Sequence, residues 1–322
     1  MKVAVIIPVK ELNAYLEESV PKIIDEHPNQ IIILPDSIPK NLPLYAKNKS
    51  VKIVATGAIG PAEKRDKGAS LTNADILAFL DDDSYPKNGW LKEMLIPFKN
   101  KNVAAVGGPA ITPVNESIRK KASGLVFSSS LGAGRYVYRY IPTKISFEVD
   151  DYPTVNLSVR RLVFNKVKGF NTKYYPGEDT KLCLDIHNLG LKIVYTPKAV
   201  VYHHRRDLFV PHLKQITNYA LHRGLFVKKF PKTSFRLNYF IPSLFVLYLM
   251  CGGILSMVVP SIAKFYMLPI MLYVILVLLS TLQVVKEKRL LLYPLVALGI
   301  IATHIFYGVY FLIGLLKSDL AR

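Results

Sequence analysis

Ile76-Leu77-Ala78-Phe79-Leu80-Asp81-Asp82-Asp83 is the stretch that decides the fold. Five successive apolar residues bounded by polar chain make a strand buried on both faces, as in a parallel sheet covered by helices. The run stops in three adjacent carboxylates, so the strand delivers acid to its carboxyl end. Upstream, the same pattern recurs. Val3-Ala4-Val5-Ile6-Ile7-Pro8 is a short apolar run closed by proline, Ile31–Leu34 is a second and Val51–Val54 a third. Between them, Asn13–Ile24 carries Leu16 and Val20 on one helical face, and Gly60-Pro61 opens a helix toward Leu71. Strand, helix, strand, strand, helix, strand predicts an α/β sheet with right-handed crossovers. Ligands of such sheets sit beyond the carboxyl ends of the strands. Glu11, Asp36 and the aspartate triplet all fall there.

Further strands are predicted at Val103–Gly108, Val155–Val159, Leu191–Tyr195 and Val200–Tyr202, with a helix over Asp179–Leu189. Ser128–Tyr140, rich in Gly, Ser and Tyr, reads as a loop. Val3–Val9 is too short for a secretory leader and runs straight into Lys10 and Glu11.

The 322 residues carry a formal net charge of +19, and 51% of them are hydrophobic. Neither property is evenly spread. Three apolar segments at about 239–262, 265–285 and 290–316 each reach the roughly 20 residues that cross a bilayer. Just before them Arg205, Arg206, Lys214, Arg223, Lys228, Lys229, Lys232 and Arg236 are opposed only by Asp207. Lysine and arginine beside an apolar segment are held by anionic lipid and mark the cytoplasmic face. Nucleic acid is not expected as a partner, because no zinc-finger spacing or aromatic RNA-binding signature accompanies the charge. Pro211–Lys229 is amphipathic, which suits a helix lying on the membrane or a linker helix packed on the domain. The expected organisation is a catalytic domain over 1–206, a basic juxtamembrane segment over 207–236, and three membrane helices over 237–322. Lys286-Glu287-Lys288-Arg289 then joins the catalytic domain on the cytoplasmic side, with the chain end opposite. Cys183 and Cys251 fall in different parts of this plan, so no bridge is expected.

The aspartate triplet has two readings. Adjacent carboxylates repel one another unless a cation neutralises them, and oxygen ligands suit Mg²⁺ or Mn²⁺. Alternatively, Asp83 or Ser84 caps a helix near Pro86. Glu178 and Asp179, ahead of a helix, also fit a helix dipole. His304 within the last apolar segment is expected to be hydrogen-bonded rather than a ligand.

With these motifs in order, residues 3 to 205 resemble the family 2 glycosyltransferases, inverting enzymes of the GT-A nucleotide-diphospho-sugar transferase fold. The matching segments are Pro8-Val9-Lys10-Glu11, Gly60-Pro61-Ala62-Glu63-Lys64-Arg65-Asp66, Phe79 to Asp83, Thr154 to Arg161, Gly169-Phe170, Gly177-Glu178-Asp179, and Pro197 with His203. After the second strand the family has paired aspartates and Gly-Ser; this chain has Leu34-Pro35-Asp36-Ser37. The resemblance implies that Pro8, Glu11, Asp36, Arg65, Asp81 and Asp82 bind the nucleotide sugar, with Arg65 toward the diphosphate. It implies a divalent cation on Asp83 and His203, and Asp179 as the general base. Asn156, Glu178 and Arg223 would lie on the acceptor side. The implied donor is a nucleotide sugar and the implied acceptor lipid-linked or membrane-proximal. Polysaccharide synthases of the family carry Gln-x-x-Arg-Trp beyond the catalytic aspartate; Tyr219 to Gly224 lacks it, so a single addition is expected. A polyprenyl-phosphate acceptor and a non-catalytic membrane scaffold are the alternatives.

Overall fold

The computed structural model describes residues 1–320; the last two positions of the 237–322 segment lie outside the described residues. The chain folds into two compact units, one of residues 1–113 and 141–204, the other of 114–140 and 205 onward.

The first unit opens as the apolar runs require. β1 (Val3–Pro8) is buried at every position, and α1 (Ala14–Ile24) follows, its first turn capped by the Asn13 side chain. Leu16, Val20 and Ile23 form its buried face. β2 (Gln30–Leu34) and β3 (Val51–Ile53) come next, then α2 (Pro61–Ser70). α2 starts with proline at its first position, and the Glu63 carboxylate accepts from the Gly60 N–H at 2.7 Å. Gly68 lets this helix lie on the sheet, because a Cβ there would stand 2.5 Å from Ile6 Cγ2 and 2.9 Å from Leu34 Cδ1. β4 (Ile76–Leu80), β5 (Ser84–Pro86), α3 (Trp90–Leu95), β6 (Val103–Gly107) and β7 (Ala110–Ile111) complete the run before residue 114.

α4 (Ile118–Ser128) and α5 (Ser130–Ala133) belong to the second unit, and a short 3₁₀ stretch covers Gly134–Arg139. The loop expected over Ser128–Tyr140 is therefore mostly helical turn. Back in the first unit come β8 (Phe147–Val149), β9 (Asn156–Arg160), α6 (Arg161–Lys166), α7 (Glu178–Asn188), β10 (Lys192–Tyr195) and β11 (Val201–His203). The main sheet has the order β3-β2-β1-β4-β9-β6-β10-β8. β3, β2, β1 and β4 are mutually parallel, while β9 runs antiparallel to both β4 and β6. A second sheet joins β5, β11 and β7. This is the mixed sheet of the GT-A class, with the strand ends of β1, β2 and β4 side by side.

The second unit continues with α8 (Val210–Lys229), α9 (Pro231–Ser234), α10 (Leu237–Val258), α11 (Ala263–Val284) and α12 (Leu292–Leu316). α10, α11 and α12 are long and apolar enough to cross a membrane. Both cysteines are free. His304 is held as its surroundings demand. Its Nε2 lies 2.9 Å from the Leu131 carbonyl, which can only accept, so Nδ1 accepts from the Tyr273 hydroxyl at 2.9 Å.

Candidate active site

The chain turns immediately after β4. The Ser84 N–H and hydroxyl both donate to the Asp81 carbonyl, at 3.1 and 2.9 Å. That turn launches β5, which pairs with β11 so that His203 stands opposite Ser84. The next N–H, from His204, donates to the Asp83 carbonyl at 3.0 Å. Strand pairing thus carries a histidine from 120 residues downstream, roughly, to the aspartate triplet. His203 Nε2 lies 3.2 Å from Asp83 Oδ1. One ligand atom each from Asp81, Asp83 and His203 falls within 4.8 Å of the others. Two carboxylate oxygens and an imidazole nitrogen at this separation could hold a metal ion. The helix-cap reading fails, since Ser84–Pro86 is a strand and the next helix starts at Trp90, after Gly89. Asp82 faces elsewhere and accepts from the Asn13 amide, so the residue that caps α1 also holds the middle aspartate. Burial, then the neighbouring Asp83, pushes its carboxyl up to about 6.

Arg65 reaches from α2 between two acids. Its Nη2 lies 2.7 Å from Asp81 Oδ1 and its Nη1 2.9 Å from Glu178 Oε1. The residue is 3% exposed, and its Nε is buried without a partner among the described residues. Burial works against the guanidinium charge, but Asp81 and Glu178 outweigh it and raise its pKa. For Glu178 burial prevails and raises the carboxyl despite Arg65. Breaking one side of such a pair leaves a charge stranded in the interior.

α7 opens at Gly177, whose φ of 118° is natural for glycine. The two acids that follow diverge. Glu178 Oε2 accepts from the Gly177 N–H at 3.0 Å, and its other oxygen takes Arg65. Asp179 is part-buried, and its Oδ1 accepts from the Thr180 N–H at 2.7 Å. Beneath them the Thr180 hydroxyl donates to the buried Asp151 carboxylate at 3.3–3.4 Å.

The remaining residues singled out in the sequence fall in varied places. Asp36 follows β2 and is paired with Lys64, which also donates to the Val9 carbonyl and is 3% exposed. Pro8 is buried at the end of β1, and Glu11 is exposed. Asn156 is fully buried: its Oδ1 accepts from Trp90 Nε1 at 2.9 Å and its Nδ2 donates to the Ala199 carbonyl at 2.8 Å. Its role in the structure is thus to bind α3 and the approach to β11 to β9. Asp66, where the family has Asn, accepts from the Phe170 N–H at 2.9 Å and so fixes the Gly169-Phe170 turn. Arg223 stands on α8 in the second unit, over the Tyr239 ring at 4.7 Å and 3.2 Å from Ser234 Oγ.

Sequence reasoning missed Lys64 and Asp151. Lys64 lies in the charged run Glu63-Lys64-Arg65-Asp66-Lys67 and Asp151 in the pair Asp150-Asp151, so neither stands out from its neighbours; each is revealed by a partner far along the chain. His204, next to the candidate ligand, is likewise explained by a distant partner, with Nε2 2.9 Å from Glu18 Oε2.

Residues 4–164 match the family model described as glycosyl transferase family 2. A "Pre-mycofactocin glycosyltransferase" from Mycobacterium tuberculosis is 33% identical over 150 residues, which cover 46% of this chain and 31% of that protein. The chain thus spans about a third of the length of that relative. A "Dolichyl N-acetyl-alpha-D-glucosaminyl phosphate 3-beta-D-2,3-diacetamido-2,3-dideoxy-beta-D-glucuronosyltransferase" from Methanococcus voltae is 20% identical over 289 residues, 87% of this chain and 80% of the relative. Among solved structures, the mannosyltransferase PcManGT from Pyrobaculum calidifontis, in complex with GDP-Man and Mn²⁺, is similar in fold. The TM-score is 0.55 at 15% identity, over 94% of this chain and 86% of that one.

Proposed function

This chain belongs to glycosyl transferase family 2, and we propose that it transfers one sugar, with inversion, from a nucleotide-diphospho-sugar to a lipid-linked acceptor. The observation that carries the reading is the convergence of Asp81, Asp83 and His203 at the end of β4, with Arg65 joining that cluster to the start of α7. A divalent cation held by Asp81, Asp83 and His203 would supply counter-charge to the diphosphate, so departure of the nucleotide needs no acid.

The rest of the chemistry belongs to side chains of this chain. The acceptor hydroxyl attacks the anomeric carbon as the bond to the diphosphate oxygen breaks, and its proton passes to a carboxylate. Asp179 is the residue for that task. Glu178, one position earlier, is committed to Arg65 and the Gly177 N–H, which makes it a positioning residue for α7. Lys64 fixes Asp36 at the end of β2, where the donor's base would lie. The lipid-linked acceptor is supported by the name of the Methanococcus relative, which acts on a dolichyl phosphate sugar, and by three apolar helices in the same chain.

The full chain, purified in detergent and offered a panel of nucleotide sugars, should release nucleoside diphosphate with at least one of them. EDTA should stop that release and Mn²⁺ restore it. Neither turnover nor thermal stabilisation by any nucleotide sugar in Mn²⁺ would leave the scaffold reading in its place.

A further inference from the structure

Three membrane crossings in series oblige the first and third helices to run parallel, each beginning on the same face. In the second unit α10 and α12 do the opposite. The start of α10 meets the end of α12: Phe240 packs on Phe311 with ring centroids 5.0 Å apart, and Ser243 Oγ donates to the Gly308 carbonyl at 3.0 Å. A Cβ on Gly308 would meet Pro242 and Val246. The beginning of α10 is therefore level with the end of α12.

α8 also runs beside α12, in the same direction. Leu208, just ahead of α8, lies against Gly299. His212 Nε2 is 3.0 Å from Thr303 Oγ1. Gly224 and Gly314 face each other so closely that a Cβ on the first would strike the Phe311 carbonyl, and one on the second the Leu221 carbonyl. Lys228 Nζ donates to the Lys317 carbonyl, past the end of α12. Yet α8 exposes Lys214, Asn218, Lys228 and Lys229. A single lysine at the centre of a bilayer costs about 2.5–3.5 kcal/mol or more. A helix with that surface does not sit in hydrocarbon along its length, so the helix aligned with it does not cross hydrocarbon either. The other end of α12 is held in the same way, by the ion pair of Lys121 on α4 with Glu287 at 3.1 Å.

The hairpin between α10 and α11 has the contrary character. From Leu247 to Leu272 its one charged residue is Lys264, at the turn. Met250, Met257, Leu268 and Met271 are 58–84% exposed. Tyr248 and Tyr266 tie the two arms together: each hydroxyl donates to a carbonyl of the opposite helix, at 2.8 and 3.0 Å.

We propose that only the α10–α11 hairpin enters the bilayer, while α8 and α12 lie side by side along the lipid–water interface. The chain beyond α12 then stays on the face that carries the basic junction. The partner is an anionic leaflet, met by Lys214, Lys228, Lys229 and Lys232 around an apolar wedge. The proposal replaces the three-span arrangement that apolar length predicts, and it is independent of the catalytic reading.

Cysteine labelling of the full chain tests it. In a Cys251→Ala background, Lys229→Cys and Ser318→Cys are made singly, reconstituted into sealed vesicles containing anionic phospholipid, and exposed to a membrane-impermeant maleimide. Equal labelled fractions before permeabilisation are expected for the two positions in membranes of one orientation. Labelling of Ser318→Cys only after permeabilisation, with Lys229→Cys open from the start, overturns the proposal. In the same vesicles alkaline carbonate should leave the chain in the membrane pellet, and Leu268→Asp with Met271→Asp should release it. Release of the unsubstituted chain would overturn insertion of the hairpin.

Discussion

At the scale of single residues, the contrast between Glu178 and Asp179 is the most informative. The two are adjacent carboxylic acids, yet one is 4% exposed and paired with Arg65 while the other is part-buried at the helix start. Asp179→Asn keeps shape and removes basicity. Single-turnover transfer should fall by about 10²- to 10⁴-fold with donor and metal still bound, since the lost interaction belongs to the transition state. Near-full turnover would point to an acceptor already ionised, such as a polyprenyl phosphate, or to another base. Glu178→Gln should act through the fold instead. Its loss weakens a buried charged hydrogen bond, so the urea midpoint should report a destabilisation of about 1–3 kcal/mol. Asp83→Ala tests the metal cluster. Losing an outer partner of a metal ligand typically costs about 10- to 100-fold in affinity, so loss of a ligand itself should cost more. Mn²⁺-dependent stabilisation of the variant by a nucleotide sugar is the readout, and wild-type titration would remove Asp83 from the site.

At the scale of elements, helices in the second unit are joined by His212. Its Nδ1 lies 2.8 Å from Ser123 Oγ on α4, and its Nε2 3.0 Å from Thr303 Oγ1 on α12. Phe127 is against the ring and Arg205 is the nearby charge. Burial first, and Arg205 second, lower its pKa from 6.5 to about 4. The folded state therefore holds the ring neutral where the unfolded chain would protonate it. The stability that follows is fully present above pH 6.5 and is lost as pH falls toward 4. Between pH 7 and pH 5 the loss from this group should be about 2 kcal/mol. Urea midpoints at the two pH values, for the native chain and His212→Gln, check it: the slope should shrink in the variant, and an unchanged slope would assign it to other groups. The pairing of β5 with β11 is the corresponding device in the first unit. It sets His203 beside Asp83 through register rather than through sequence proximity.

At the scale of the molecule, residues 114–140 leave the order of the chain and group with the helices that follow residue 204. Ala122 and Val126 on α4 share one apolar cluster with Leu208, Val277, Val284, Leu292, Val296 and Ile300. A chain stopped at His204 strands that face. It should appear in the insoluble fraction on expression, whereas the same truncation with residues 114–140 replaced by a short Gly-Ser linker should recover soluble protein. Equal solubility of the two would show that α4 is held by something other than the later helices.

The sequence by itself determined the α/β fold, the strands that end in Asp36 and the aspartate triplet, the start of α7 at Gly177-Glu178-Asp179, and a tail that prefers lipid to water. Those are properties of local pattern: buried strands are apolar runs, helices begin at particular residues, and membrane affinity is a count of apolar length. Tertiary structure decided what depends on partners distant along the chain. Arg65 bridges Asp81 and Glu178, Lys64 holds Asp36, Asn156 is taken into the core by Trp90, and α8 lies along α12. Apolar length measures how well a helix tolerates lipid, while its direction is set by the helices packed against it.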